Sequence, residues 1–371
     1  MSLVNKAIII LLIFITCATC WGQEDFGYLP QLEPGELLML GETHFVNEFQ
    51  DFETDVISYL TENNADTLVV LLETAYCENV FVNRLFEHGD SVLLKQWLDT
   101  CASKTTSQYF YRLLLSLYHI QEKNHNLKVV CIDGCMSEKR LLFAADCILS
   151  SYPVLTQSAQ TLQKKIDSLY NHLYFTTEKE DDSFLAFLHY LQRHLCRYRK
   201  DYKRLLTSSD YDYLKSIPTL YTKDFNAREN IMFRNVCRAY NEHFRYVSII
   251  GITHANQQLI QYAKNNFAPK TKPLARQLQE RACSPFKKHV KTVCIVAQQI
   301  NFPATEVNDT LTVAPKTMPF ISLQMTEDIK EELAAQNKQI AFKVMKPTSK
   351  IDSKVQFDVY VLLKEVNSMR K

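Results

Sequence analysis

"LLMLGETHF", residues 37–45, decides how the chain is read. A strand-length apolar run ends in Gly41, and a carboxylate and an imidazole follow at Glu42 and His44. "VSIIGITHAN", residues 247–256, repeats the arrangement with Gly251 and His254. Runs that are apolar throughout, rather than alternating, belong to strands covered on both faces. In a parallel sheet the carboxyl ends of such strands share one edge, and ligands bind in the crevice there. The two turns are therefore predicted to bring His44 and His254 together.

Working outward, strands are predicted at 36–40, 67–72, 127–132, 246–250, 291–297, 339–344 and 355–364. Helical patterns lie between them near 47–62, 79–99, 105–124, 137–150 and 224–243. This alternation predicts an α/β fold, a mostly parallel β-sheet flanked by helices. Residues from about 154 to 217 hold no strand pattern and are rich in Tyr, Leu, Lys and Arg. They are predicted to be a helical insertion that covers the crevice as a lid, within a single domain spanning 23–371. The chain from 300 onward is expected to complete the edge of the sheet.

Seven glycines serve 371 residues. Gly41, Gly134 and Gly251 fall at or just after predicted strand ends, where a sharp turn or a close approach calls for glycine. Glu42, His44, Glu73, Asp133 and His254 should then face one another. A histidine held by a carboxylate can take a proton from water while a second one polarises or protonates the bond under attack. His44, Glu73 and His254 could instead hold a divalent metal that activates water. Asp133 reads equally as a turn or N-cap residue before the helix near Ser137. Asn47 and Glu48 read as the opening of a helix, where a carboxylate suits the N-terminal dipole. Arg228 opens the helix before the 246–250 strand, placed for an ion pair or for a developing oxyanion. Cys77 and Cys131 lie near the crevice, but neither has an activating histidine beside it. G-x-S-x-G, P-loop, G-x-G-x-x-G and H-E-x-x-H motifs do not occur.

Forty-two Lys and Arg against 41 Asp and Glu leave no global charge for nucleic acid or an anionic membrane. The first 22 residues differ from the rest: Lys6, then the apolar "AIIILLIFIT" (7–16), then "CWGQ". That is the layout of a secretory signal cleaved after Gly22. It predicts an exported chain, released or periplasmic, with a lipid on Cys17 or Cys20 as the alternative and the one route to a membrane. Nine cysteines remain after cleavage, so at least one would stay unpaired.

"LGETHFVNEF", "VVLLET", and "ARENIMFRNV" followed by "IIGITH" together resemble the motifs of the erythromycin esterase group. The Gly-x-x-His pair is also similar to the Tiki/TraB metalloprotease-like proteins and the ChaN-type haem-binding lipoproteins. The resemblance covers residues 35–80 and 223–257. It implies an exported hydrolase that cleaves an ester or amide of a small-molecule or peptide substrate with histidine-activated water. His44 would be the general base, Glu73 its partner or a water-orienting carboxylate, and His254 the second histidine, with Glu42 and Arg228 in support. The esterases carry a further histidine after the distal one, where this chain has Asn256 and glutamines. The other two groups imply the alternatives of a metal-dependent peptidase and a haem or tetrapyrrole binder.

Overall fold

A computed structural model describes residues 26–44, 46–63, 65–101, 104–175, 181–258, 272–302, 305–307, 311–313, 316–319, 327–336, 340–345 and 357–367. The signal-like segment and its cysteines lie outside these. Residues up to Gln31 form one unit, described from residue 26 and holding a 3-10 turn, Phe26–Tyr28. Leu32–Lys371 form the other.

The larger unit is built on strands β1 (Leu37–Glu42), β2 (Leu68–Ala75), β3 (Leu127–Asp133), β4 (Arg245–Gly251), β5 (Val290–Phe302), β9 (Ile340–Val344) and β10 (Val359–Asn367). They run in the order β3-β2-β4-β1-β5-β10-β9. Every neighbouring pair is parallel except β10 with β9. β6 (Thr305–Val307) and β7 (Leu311–Val313) pair with each other, and β8 (Lys316–Pro319) lies antiparallel to the end of β5. The α/β sheet expected from the strand pattern is present, and all seven predicted strands are in it.

The helices are α1 (Asn47–Glu62), α2 (Asn79–His88), α3 (Ser91–Cys101), α4 (Lys104–Asn124), α5 (Glu138–Ser150), α6 (Gln157–Phe175), α7 (Asp181–Arg197), α8 (Arg199–Leu205), α9 (Ser208–Leu220), α10 (Phe225–Ala239), α11 (Leu274–Glu280) and α12 (Glu327–Ala335). The helix expected over 79–99 is two, because Gly89 caps α2 in the left-handed region at φ 67°. All six residues of β1 are buried. Leu37 and Met39 share a core with Met232 and Val236 of α10 and Leu274 and Leu278 of α11. Leu38 and Leu40, also buried, point to the opposite face, as the pleat requires. Coverage on both faces is why these strands are written without polar residues.

Chain order also sets the crevice. β1 leads across to β2 and on to β3, whereas the chain after β3 returns to β4 and then crosses to β5. Right-handed crossovers put these two runs of connections on opposite faces, so the turns after β1 and β4 part from each other at adjacent strands. The insertion forms α6 to α9. Its last helix packs on α5, α2 and the 3-10 turn Tyr76–Glu78 at the end of β2. Tyr221, just beyond α9, bridges Cys135 beyond the end of β3. The end of the insertion thus lies beside the carboxyl ends of β2 and β3. No helix among the described residues is long and apolar enough to cross a membrane.

Candidate active site

Each strand end delivers its side chain through a specific local device. β1 and β4 stay paired as far as Glu42 and Gly251, and Ile252 N–H then donates to the Glu42 carbonyl. On β2 the register against β3 shifts between Leu72 and Ala75. Such an irregularity re-aims a side chain, and here it turns Glu73 toward the neighbouring turns. Gly251 donates its N–H to Glu73 Oε2 at 2.5 Å. A Cβ there would stand 3.2 Å from Glu73 Oε2 and 3.3 Å from His44 Nε2, so glycine lets the backbone approach the carboxylate. At Gly41 a Cβ would stand 2.7 Å from that of Ala255, which lets the two turns pack together.

The side chains form a chain of alternating charge. Glu42 Oε1 binds His44 Nδ1, and His44 Nε2 faces Glu73 Oε2 at 3.2 Å. Glu73 Oε1 faces His254 Nε2 at 3.2 Å, and His254 Nδ1 reaches Glu229 Oε1 at 2.5 Å. Arg228 adds a branch, donating to Glu73 Oε1 at 2.6 Å and through Nε to both Asp133 oxygens at 2.9 Å. Its Nη1 has no hydrogen-bond partner among the described residues. Tyr109 of α4 donates to Glu42 Oε1 at 3.3 Å.

Helix α10 works as a splint across the sheet edge. Arg228, Met232 and Asn235 repeat at helical spacing, so one face docks on β3. Met232 enters the core, and Asn235 donates to the Ile132 carbonyl at 2.8 Å. Glu229, beside Arg228, turns to His254 and is fully buried. Asp133 is both a turn residue, accepting from Gly134 N–H at 2.6 Å, and a partner of Arg228. The cap of α5 is Ser137. Asn47 accepts from Arg112 at 2.8 Å, and Glu48 lies in the first turn of α1.

The sequence reading assembled Glu42, His44, Glu73, Asp133, Arg228 and His254, and the structure brings all six together. Glu229 and Tyr109, both on helices, join the site without any strand-end signal in the sequence. Eight cysteines among the described residues are free thiols, and burial pushes those of Cys77 and Cys131 far up, out of nucleophilic range.

Protonation follows from the charge pattern. Burial pulls the His44 imidazole down, but the Glu42 and Glu73 carboxylates outweigh it and hold the group well above the usual histidine range. For His254 burial is likewise outweighed, by Glu73 and Glu229, and the pKa is pushed up to about 10. Burial would raise Glu73, yet His254 and His44 hold it well below the usual carboxylate range. Burial raises Asp133 against the pull of Arg228. The flanking carboxylates thus favour the imidazolium form of both rings.

Each ring nitrogen faces a carboxylate oxygen, His44 between Glu42 and Glu73 and His254 between Glu73 and Glu229. Among the described residues no group of three or more His, Cys, Asp or Glu is arranged to hold a metal ion. The residues as placed do not fit a divalent ion shared by His44, Glu73 and His254. The histidines differ in access: the His44 side chain is 31% exposed, that of His254 only 3%.

No family model matches the sequence, and no curated protein matches it. Solved structures do. One is an erythromycin esterase, EreC, in its open conformation and carrying a histidine-to-asparagine substitution. It superposes with a TM-score of 0.59 at 12% identity, over 94% of this chain and 95% of that one. Another is a succinoglycan biosynthesis protein, with a TM-score of 0.57 at 13% identity, over 90% of this chain and 88% of that one. The chain has the erythromycin esterase fold.

Proposed function

We propose that the protein hydrolyses an ester or amide bond of a small-molecule or peptide substrate, with His44 taking the proton of the attacking water. The observation that carries this reading is a part-open imidazole fixed between two carboxylates at the edge where α/β folds bind ligands. Glu42 orients the ring through Nδ1, and Nε2, once it has given up its own proton, accepts one from water beside Glu73. His254 is a positioning group: buried, it fixes Glu73 from behind and is fixed in turn by Glu229. The unoccupied Nη1 donor of Arg228 suits the oxyanion that develops on the carbonyl. The insertion, at the same edge, would cover the crevice and shape its entrance. Export through residues 1–22 belongs to the same proposal.

Because the base must be neutral to accept a proton, and its pKa is raised, kcat/KM should climb with pH beyond the ordinary histidine range. The test is a panel of chromogenic esters and amides with wild-type protein and His44→Gln. Removing a general base costs about 10²–10⁴-fold. Hydrolysis that survives the substitution would overturn the assignment.

A further inference from the structure

Behind His44 lies a group of buried acceptors that lack donors. Glu53 of α1 is fully buried, and neither of its carboxylate oxygens has a hydrogen-bond partner. The same holds for Oε2 of Glu42 and Oε1 of Gln50, both residues 1% exposed. Glu42 Oε1, in contrast, is taken by His44 and by the Tyr109 hydroxyl. Gln50 spends its amide N–H on the Tyr109 carbonyl at 2.8 Å, so it offers nothing to the acids. A carboxylate removed from water without donors keeps its proton rather than its charge.

We propose that Glu53 is held as the neutral acid, that its O–H serves the vacant Oε2 of Glu42, and that Glu53 is thereby a positioning residue for His44. The alternating chain then has a neutral end, and Glu42 is satisfied on both oxygens. Burial first, and then the Glu42 charge, push the Glu53 carboxyl well above the usual range, against the opposing pull of His44. The groups that face it are Glu42 from β1, His44 from the following turn and the Tyr109 hydroxyl from α4. β10, which also packs on α1, adds no ionisable group acting on it among the described residues. Glu53 keeps its proton throughout. By donating to Glu42 it tempers the pull of that carboxylate on the His44 proton.

The protonation of Glu53 stands apart from the hydrolase reading, and only its effect on rate rests on that reading. The first experiment is infrared difference spectroscopy of the full chain, wild type against Glu53→Gln, at neutral pH. A protonated-carboxyl band present in the wild type and lost in the variant is expected. The second is thermal unfolding across about pH 5 to 8. A carboxyl whose folded pKa is raised costs stability as pH rises above the unfolded value, because only the unfolded chain then gives up the proton. The Tm of Glu53→Gln relative to wild type should therefore rise with pH. The third is the pH profile: Glu53→Leu should move the rise in kcat/KM to higher pH, and Glu53→Gln, which restores a donor, should bring it back. Absence of the band with a Tm difference flat in pH would overturn the proposal. So would a carboxylate signature at Glu53 that responds to added Ca²⁺ or Mg²⁺, which would make these oxygens a cation site. The band without any hydrolysis would uphold the neutral acid and count against the hydrolase.

Discussion

The two Gly-x-Thr-His turns are written almost alike and are used differently. After β1 the turn carries its own carboxylate, Glu42, and leaves the His44 ring part open. After β4 the matching position is Ile252, so the carboxylate for His254 comes from another element, Glu229 on α10. His254 is sealed as a result. One turn presents an imidazole; the other supports the carboxylate that the first one needs. The difference shows that a repeated motif can supply a working residue and its support rather than two equivalent ligands.

The sharpest way to break this comparison is to exchange the histidines' fates. His44→Gln should remove about 10²–10⁴-fold of hydrolytic rate with little change in Tm, because the ring is part exposed. His254→Ala should instead destabilise the fold by about 3–5 kcal/mol, since it leaves Glu73 and Glu229 buried without their shared cation. Equal losses of Tm in the two variants would dissolve the distinction. The same contrast extends to pH. A histidine with a raised folded pKa contributes stability that is fully present below the unfolded value of about 6.5. That contribution is lost as pH rises through the folded pKa of about 10. Denaturation scans should show the wild type weakening across this window and His254→Ala following a flatter course.

Arg228→Lys comes next. Lysine keeps the charge but lacks the planar fork that spans Asp133 and Glu73 and still leaves Nη1 to donate elsewhere. Steady-state kinetics should show a loss of about 10²–10³-fold in kcat, the scale of one oxyanion donor. A change confined to KM would place Arg228 outside the reacting centre. The smallest effects concern the glycines. Gly41→Ala, which forces a Cβ to within 2.7 Å of Ala255 Cβ, should cost about 1–3 kcal/mol of stability by overpacking. Gly251→Ala meets only side-chain atoms at 3.2–3.5 Å, so it should lower Tm less and act mainly on rate by displacing Glu73.

Much of this was legible because strand ends are a restrictive pattern. Continuous apolar runs closed by glycine located β1, β3 and β4 together with Glu42, His44, Asp133 and His254, and the run before Glu73 located β2. What escaped lies on helices, where a residue's direction depends on which face is buried. Glu229 shares a face with Met232 and Val236, and Glu53 with Phe49, Ile57 and Leu60, all of them buried. The signal such residues leave in a sequence is a carboxylate on an otherwise apolar helical face. The chain from 300 onward has a weaker pattern, which hides α12 and β6 to β8, and α11 is too short to show a helical period. The insertion reads as helical from its spacing, but its docking on α2 and α5 depends on tertiary packing that no local spacing encodes.

The strand order has a consequence for assembly. β4, the last of the four strands that build the crevice to be synthesised, lies between β2 and β1, the first two. Until it inserts, β1 and β2 have no shared neighbour, and Glu73 waits for Arg228 and His254, more than 150 residues downstream. Contacts of such long sequence separation slow folding, because loop closure must precede the reward. A nascent or truncated chain ending before residue 245 would carry an open gap in mid-sheet with unpaired strand edges on both sides. Such a chain should depend on chaperones, and completion of the crevice should coincide with the rate-limiting step of folding.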